Sequence, residues 1–151
     1  MYPKYHIILG FIFTITLFFL FPQFNIFALS IIFLSSFLID IDHYLGHAYL
    51  KKDLNPFNAL KWHFNLSKKE MKMDRKTRNM HYTHLCIFHG IEILVILFFL
   101  SYINLIFLYI MIGFSFHMVL DIIYQPFYHD RIDKLSLIYD FFKYKKLKRS
   151  N

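Results

Sequence analysis

Apolar residues occur along the chain in four long runs, separated by short polar breaks and one long polar stretch. The runs cover residues 7–21, 24–39, 85–102 and about 105–123. Pro22-Gln23 separates the first two runs, residues 43–84 separate the second from the third, and a short connection near Asn104 precedes the fourth. With only four Gly and four Pro in the chain, each run predicts a helix.

The apolar residues surround each predicted helix instead of forming one stripe. Such helices would leave no polar face for water if they formed a soluble bundle, so lipid is the better solvent. Composition agrees, since 57% of the residues are hydrophobic and the mean hydropathy is +0.41, beyond the apolar share of ordinary soluble domains. The sequence therefore predicts an all-α protein: a four-helix transmembrane bundle that forms a single membrane-embedded domain over residues 1–151.

The basic residues predict the orientation of the bundle. Of the 17 lysines and arginines, Lys4 precedes the first run, nine lie in the polar stretch and seven in the tail after residue 124. Neither of the two short turns has any, so the positive-inside rule places both termini and the long central loop in the cytoplasm, at the inner or plasma membrane. The net charge of +7 then favours anionic lipid headgroups over nucleic acid as the partner. Residues 134–148 alternate apolar residues with lysines, which is typical of an amphipathic helix on such a surface.

Ionisable side chains lie at only one end of the four runs, the predicted cytoplasmic end. They are His6 at the first run, Asp40, Asp42 and His43 at the second, His84, His89 and Glu92 at the third, and His117 and Asp121 at the fourth. Carboxylates near the bilayer are costly, and the negative end of a helix dipole raises that cost for Asp40. A bound cation would compensate both terms. We therefore predict a metal site whose ligands are His6, Asp40, Asp42, His43, His84, His89, His117 and Asp121.

The spacing of these residues sharpens the prediction. His117 and Asp121 are four residues apart and share a helix face. Asp42 would point about 160° away from Asp40 in a straight helix, so either the helix breaks there or Asp42 orients a ligand histidine. Histidine with carboxylate suits Zn²⁺, with Mn²⁺ or Fe²⁺ as alternatives. The number of donors allows one ion or two ions about 3.5–4 Å apart. The other histidines, His47, His63, His81 and His129, are expected to face water or headgroups.

Three short motifs follow His6 in a fixed order. They are Phe-Leu-Ile-Asp-Ile-Asp-His over residues 37–43, His84-(four residues)-His89, and Gly-Phe-Ser-Phe-His-Met-Val-Leu-Asp over residues 113–121. This order resembles the YdjM-like inner-membrane metal-dependent hydrolases, which show an early His, then Leu-Pro-Asp-x-Asp-His, His-Arg-Gly-x-Thr-His-Ser and Gly-x-x-x-His-x-x-x-Asp. The chain departs from that pattern at Ile39, which replaces the Pro, at residues 85–88, which replace Arg-Gly-x-Thr, and at residues 90–92, where the family has Ser. The resemblance covers about residues 6–122 and implies a membrane-embedded, zinc-dependent hydrolase, distantly similar to zinc phospholipase C.

Two functions from different classes follow. A metal-dependent hydrolase would act on an ester or phosphoester of a lipid, because the predicted site opens at headgroup depth. Glu92 or Asp42 would then be the catalytic proton acceptor, although Glu92 could instead pair with a loop lysine. The alternative is a protein that binds or transports a metal without hydrolysis, for which the outer halves of the spans offer no ionisable groups. A bis-histidine haem site would leave the carboxylates without a purpose.

Overall fold

The computed structural model describes residues 3–80, 85–129 and 135–149, and throughout these ranges the protein is helical without strands. This confirms the all-α class. The helices are α1 (Pro3–Leu20), α2 (Ile26–Leu38), α3 (Ile41–Lys51), α4 (Pro56–Lys72), α5 (Arg75–Met80), α6 (Ile91–Ser101), α7 (Leu105–His129) and α8 (Leu137–Arg149).

Three stretches of helix are long and apolar enough to cross a membrane. They are Pro3–Leu20, Ile26–Lys51 and Leu105–Pro126. They fit an integral membrane protein. The helix in the third apolar run, α6, has 11 residues and reaches only about 16 Å, roughly half of a hydrocarbon core. The expected number of four spans therefore stays a prediction, as does the orientation of the termini.

The third run is helical over a shorter range than the sequence predicted. The prediction began the helix at residue 85, whereas α6 begins at Ile91. The backbone N–H of Phe88 donates to the Asp42 carboxylate at 2.6 Å. In a helix, this N–H would donate to a backbone carbonyl of the preceding turn instead. Gly90, a weak helix former, lies directly before α6. Periodicity did not show this exception because the residues before Gly90 are as apolar as those after it.

The polar stretch of residues 43–84, expected as a long loop, contains α3, α4 and α5. Asn55 caps α4, because its side chain accepts from the Phe57 N–H at 2.9 Å, and Pro56 occupies the first turn, where its missing N–H costs nothing. At the other end of α4, Arg78 Nε donates to the Glu70 carbonyl at 2.9 Å. Charged residues of this stretch, such as Lys69, Lys72 and Arg78, therefore belong to helix ends. In the tail, α8 matches the predicted C-terminal helix.

The chain divides into two compact units, Met1–Ile39 with Ile91–Tyr124, and Asp40–Gly90 with Gln125–Asn151. The first unit holds α1, α2, α6 and most of α7, and its core is Leu17, Leu29 and Ile32. The second unit holds α3, α4, α5 and α8, with α3 packed on α4. The single domain expected from length stays a prediction.

Two glycines let the helices of the first unit approach closely. A Cβ at Gly113 of α7 would lie 2.5 Å from the Ile32 carbonyl oxygen and 2.9 Å from the Ser36 backbone nitrogen, both on α2. A Cβ at Gly10 of α1 would meet the Ser36 side chain. Small residues at such contacts are the usual means by which helices pack in a membrane, where no hydrophobic force draws them together.

Candidate metal centre

Asp40, His43 and His89 come together in the second unit, and we call them the Asp40 cluster. Asp40 precedes α3 and His43 lies in its first turn, so the two share a helix face. His43 Nε2 lies 3.7 Å and His89 Nε2 3.6 Å from Asp40 Oδ1. One donor atom from each residue fits within 4.8 Å of the others. The sequence predicted all three as ligands, and the structure places them as a group that could hold a metal ion.

Asp42 supports this cluster from behind His89. Its Oδ2 accepts from the Phe88 N–H at 2.6 Å and lies 3.0 Å from His89 Nδ1. A carboxylate that already accepts a backbone hydrogen bond acts as the acceptor here as well, so His89 Nδ1 is the protonated nitrogen. The lone pair of a neutral His89 ring is then on Nε2, the atom near Asp40. The helix is interrupted at Ile39 and Asp40, between α2 and α3, and the contact of Asp42 with His89 Nδ1 is also the geometry of an orienting residue, so the two predicted alternatives do not exclude each other.

Two further residues of the second unit approach these donors, and neither was predicted to do so. The His63 ring from α4 lies 4.2 Å from the His43 ring, centroid to centroid. Cys86 is buried, and with Asp42 and His89 it forms a second group whose donor atoms fit within 4.8 Å. That group would use His89 Nδ1, the nitrogen that donates to Asp42. Cys86 lies between two predicted ligands in the sequence, which was the only available signal.

His6, His117 and Asp121 come together in the first unit, and we call them the His6 cluster. His6 is in α1, whereas His117 and Asp121 lie one turn apart on α7. His6 Nε2 is 3.3 Å from Asp121 Oδ1, and His117 Nε2 is 3.6 Å from Asp121 Oδ2. The two imidazole rings stack with centroids 3.9 Å apart. All three were predicted ligands, and each carboxylate oxygen has one imidazole nitrogen beside it.

A backbone carbonyl fixes the tautomer of His117. His117 Nδ1 lies 2.8 Å from the carbonyl oxygen of Ser36. A carbonyl can only accept, so Nδ1 carries the proton and the lone pair of the neutral ring is on Nε2, beside Asp121. Metal-bound histidines are usually held in this way by a carbonyl or carboxylate on the second nitrogen. Sequence reasoning missed Ser36, because a main-chain acceptor leaves no trace in residue identity.

Burial makes the His6 cluster costly without a ligand. The His6 and His117 side chains have 0% exposure. Neither ring nitrogen of His6 makes a hydrogen bond within residues 3–80, 85–129 and 135–149. A buried imidazole without such bonds is destabilising. A metal ion on Nε2 would satisfy one of the two nitrogens.

The separations within both clusters are compatible with metal ligation. A charged N–H···O bond measures about 2.7–2.9 Å, which the four contacts of 3.3–3.7 Å exceed. Ligands at zinc bond lengths in a tetrahedron lie about 3.3 Å from each other. The His89–Asp42 contact of 3.0 Å is shorter and belongs to the orienting pair. The donor atoms of the Asp40 cluster lie close enough together to hold a metal ion, and a metal in the His6 cluster stays a prediction.

The other predicted site residues stand as follows. Glu92 is half-buried in the first turn of α6, and its role as a proton acceptor stays a prediction. His84 lies outside the described residues, as does His81. The expectation that His47 faces water is wrong: it is buried, with Nδ1 donating to the Asp53 carbonyl at 3.1 Å. His63 is half-buried.

Comparison with known proteins adds no relative: no protein-family model, curated protein or solved structure matches the chain. The resemblance to the YdjM-like family stays a prediction, and the function proposed below depends on the two clusters.

Proposed function

We propose that the protein is a membrane-embedded, metal-dependent hydrolase, with Zn²⁺ as the ion, and that it cleaves an ester or phosphoester of a lipid. The metal is inferred from one observation. In each cluster, a histidine with a fixed Nδ1 proton places its Nε2 atom 3.6 Å from a carboxylate oxygen. With the two rings neutral, a lone pair and an anion would face each other at this separation, and a divalent cation between them would remove the repulsion.

The two clusters differ in exposure, and we assign them different roles. The side chains of Asp40 and His43 retain 16% and 14% exposure, whereas His6 and His117 retain none. Catalytic zinc sites use three protein ligands and keep one position open, whereas structural sites are closed. The Asp40 cluster, with three donors and partial access, is the candidate for catalysis. The His6 cluster would hold a structural ion.

The chemistry assigned to the chain's own residues is limited. Asp40, His43 and His89 would hold the zinc ion, which would supply polarisation of the scissile carbonyl or phosphoryl group and acidification of water. Asp42 fixes His89 and could accept a proton, and Glu92 is the other candidate acceptor. The lipid is inferred from location, since Asp40 and Asp121 both lie in helices apolar enough to cross a membrane.

The exposed face of α8 supports an anionic bilayer as the partner. Ile138, Phe141 and Phe142 are exposed in its first half, and Lys145 and Lys146 in its second. Spacing of three and four residues places them along one side. Aromatic residues followed by lysines on one face suit the lipid interface, and with the positive-inside rule they support cytoplasmic termini.

Metal content is the first test. The purified protein would be reconstituted in nanodiscs, loaded with Zn²⁺, passed over a desalting column and analysed by mass spectrometry. We expect about two zinc ions per chain, and about one in either of two double variants, Asp40→Ala with His89→Ala or His117→Ala with Asp121→Ala. Asp74→Ala is the matched control, because Asp74 is exposed on the α5 turn. Zinc near zero in the wild type would remove the proposal.

Turnover is the second test. We expect zinc-dependent release of product from a panel of fluorogenic phospholipids and aryl phosphates, and loss of it in Asp40→Ala but not in Asp74→Ala. Full zinc content without turnover on the panel would favour the alternative, a metal-binding or transport protein, which the complete burial of His6 and His117 also suits. Zinc flux into proteoliposomes would identify transport.

A further inference from the structure

The turn between α3 and α4 exposes large apolar side chains in an otherwise polar part of the chain. Tyr49, Leu54 and Phe57 are 76%, 73% and 78% exposed. Comparable exposure occurs at Phe19, Ile26, Tyr102 and Ile103, which lie at the ends of the apolar helices α1, α2, α6 and α7. We call Tyr49, Leu54 and Phe57, with the backbone of residues 51–57, the α3–α4 tip.

Four backbone groups of this tip form hydrogen bonds with side chains of the second unit. Tyr44 Oη donates to the Leu54 carbonyl at 2.9 Å, and His47 Nδ1 donates to the Asp53 carbonyl at 3.1 Å. Asp53 accepts from the Asn55 N–H at 2.9 Å, and Asn55 accepts from the Phe57 N–H. A water-facing loop can leave such groups to solvent, whereas a segment that contacts lipid must satisfy them internally.

Lysines flank the apolar side chains. Lys51, Lys52 and Lys61 are all exposed, and Lys52 has the left-handed angle φ 54° that turns the chain out of α3. A cation next to an aromatic or aliphatic side chain is the pattern of interfacial anchors, in which the ammonium meets lipid phosphate.

The three side chains of the tip alone expose less area than a stable protein interface needs, and Leu50 and Leu60 beside them are only 41% and 45% exposed. Aromatic side chains bury about 150–250 Å² each, so three side chains supply roughly 500 Å². A stable protein interface takes about 800 Å² per partner. A bilayer needs no such minimum, because each apolar side chain partitions separately.

We propose that the α3–α4 tip inserts Leu54 and Phe57 into the headgroup region of the anionic bilayer in which the protein is embedded, with Lys51, Lys52 and Lys61 on the phosphates. This interfacial anchor goes beyond the proposed hydrolase activity, and it holds whether or not the protein hydrolyses anything. His47, buried beneath the tip, keeps it in shape rather than binding metal.

Tryptophan fluorescence in nanodiscs tests the anchor on the full chain. Trp62 is the only tryptophan, so Trp62→Phe gives a silent background into which Leu54→Trp or Phe57→Trp is placed. Asn65→Trp is the matched control, since Asn65 is exposed on the same helix α4. Helix content by circular dichroism confirms that each variant is folded before its fluorescence is compared.

We expect blue-shifted emission at positions 54 and 57, quenching by brominated lipids, and protection from aqueous iodide. Phosphatidylglycerol should increase the protection from iodide at positions 54 and 57. Replacing Lys51 and Lys52 by Gln should reduce this effect of the lipid by about fivefold per lysine. Iodide quenching equal to that of Asn65→Trp would overturn the proposal. So would protection that depends on protein concentration and not on lipid, which would indicate a second copy, or clustering of added vesicles, which would indicate another membrane.

Discussion

In two histidines, a hydrogen bond at Nδ1 leaves Nε2 as the nitrogen that a metal could bind. His89 Nδ1 is held by Asp42, and His117 Nδ1 by the Ser36 carbonyl. The sequence predicted both ligand pairs on helices, Asp40 with His43 and His117 with Asp121, because spacing of three or four residues sets a shared face. It could not predict Ser36, because the acceptor is the main chain.

Substitution of Asp42 tests the orienting role. Asp42→Ala should weaken zinc affinity of the Asp40 cluster by about 10–100-fold, the usual cost of losing such a support, while Asp42→Asn should lose less because its carbonyl can still accept. Affinity would be measured by chelator competition. Nitrogen NMR of the imidazoles adds a direct readout, since His89 should lose its Nδ1–H preference in Asp42→Ala.

The matched control is Asp74→Ala, which should leave zinc affinity unchanged. An Asp42→Ala protein with wild-type affinity and an unaltered His89 tautomer would show that Asp42 does not orient the ring.

Acid should loosen the turn at Asp53. The Asn55 N–H and then the Asn58 side chain donate to this carboxylate and lower its pKa below the ordinary 3.8. A lowered pKa contributes stability above the ordinary value and loses it as the pH falls through the lowered one. We expect the exchange protection factor of the Asn55 amide to decrease only below about pH 4, and Asp53→Ala to show low protection at every pH. An unchanged protection factor in Asp53→Ala would contradict this account.

In the first unit, the sequence predicted the ranges of three helices well and made the fourth helix too long. Hydrophobic runs predicted α1, α2 and α7 close to their observed ranges, since an all-apolar run of that length has few other structures in lipid. They overestimated α6, where Phe88 donates to Asp42 instead of joining a helix. A contact so distant in the sequence leaves no periodic signal.

Alanine at Gly113 should separate α7 from α2. Its methyl group would meet the backbone of Ile32 and Ser36, which cannot rotate away, so we expect a loss of about 1–3 kcal/mol in the free energy of unfolding. Gly10→Ala is the matched variant, because its methyl group meets a serine side chain that can turn. Unfolding in a denaturing detergent would measure both, and equal losses would show that the close backbone approach is not what matters at Gly113.

The chain combines a unit of apolar helices with a more polar helical unit of comparable size. Composition predicted the apolar part and the basic flanks, and the structure adds that residues of the polar stretch are folded into α3, α4 and α5. Sequence reasoning treated that stretch as a loop because its apolar positions are sparse. Side chains form hydrogen bonds at the ends of these helices, from Asn55, Asp53 and Arg78. A hydropathy pattern does not predict such bonds.

Zinc should stabilise the whole chain if the clusters are filled in the native state. Binding to the folded form alone adds about 2.7 kcal/mol per site at a zinc concentration a hundredfold above Kd, so Tm should rise with zinc and decrease with a chelator. A variant carrying both Asp40→Ala and Asp121→Ala should show neither change. A zinc response retained in that variant would place the binding elsewhere.

The distance along the chain between His6 and its two partners has a consequence for biogenesis. α1 leaves the ribosome long before α7 exists, so His6 would be in place before either of its two partners is made. Synthesis at about 5–20 residues per second makes this delay last for seconds. If the His6 cluster binds an ion as proposed, the ion would be captured only after translation has passed Asp121, and metal loading would be a late step of membrane assembly.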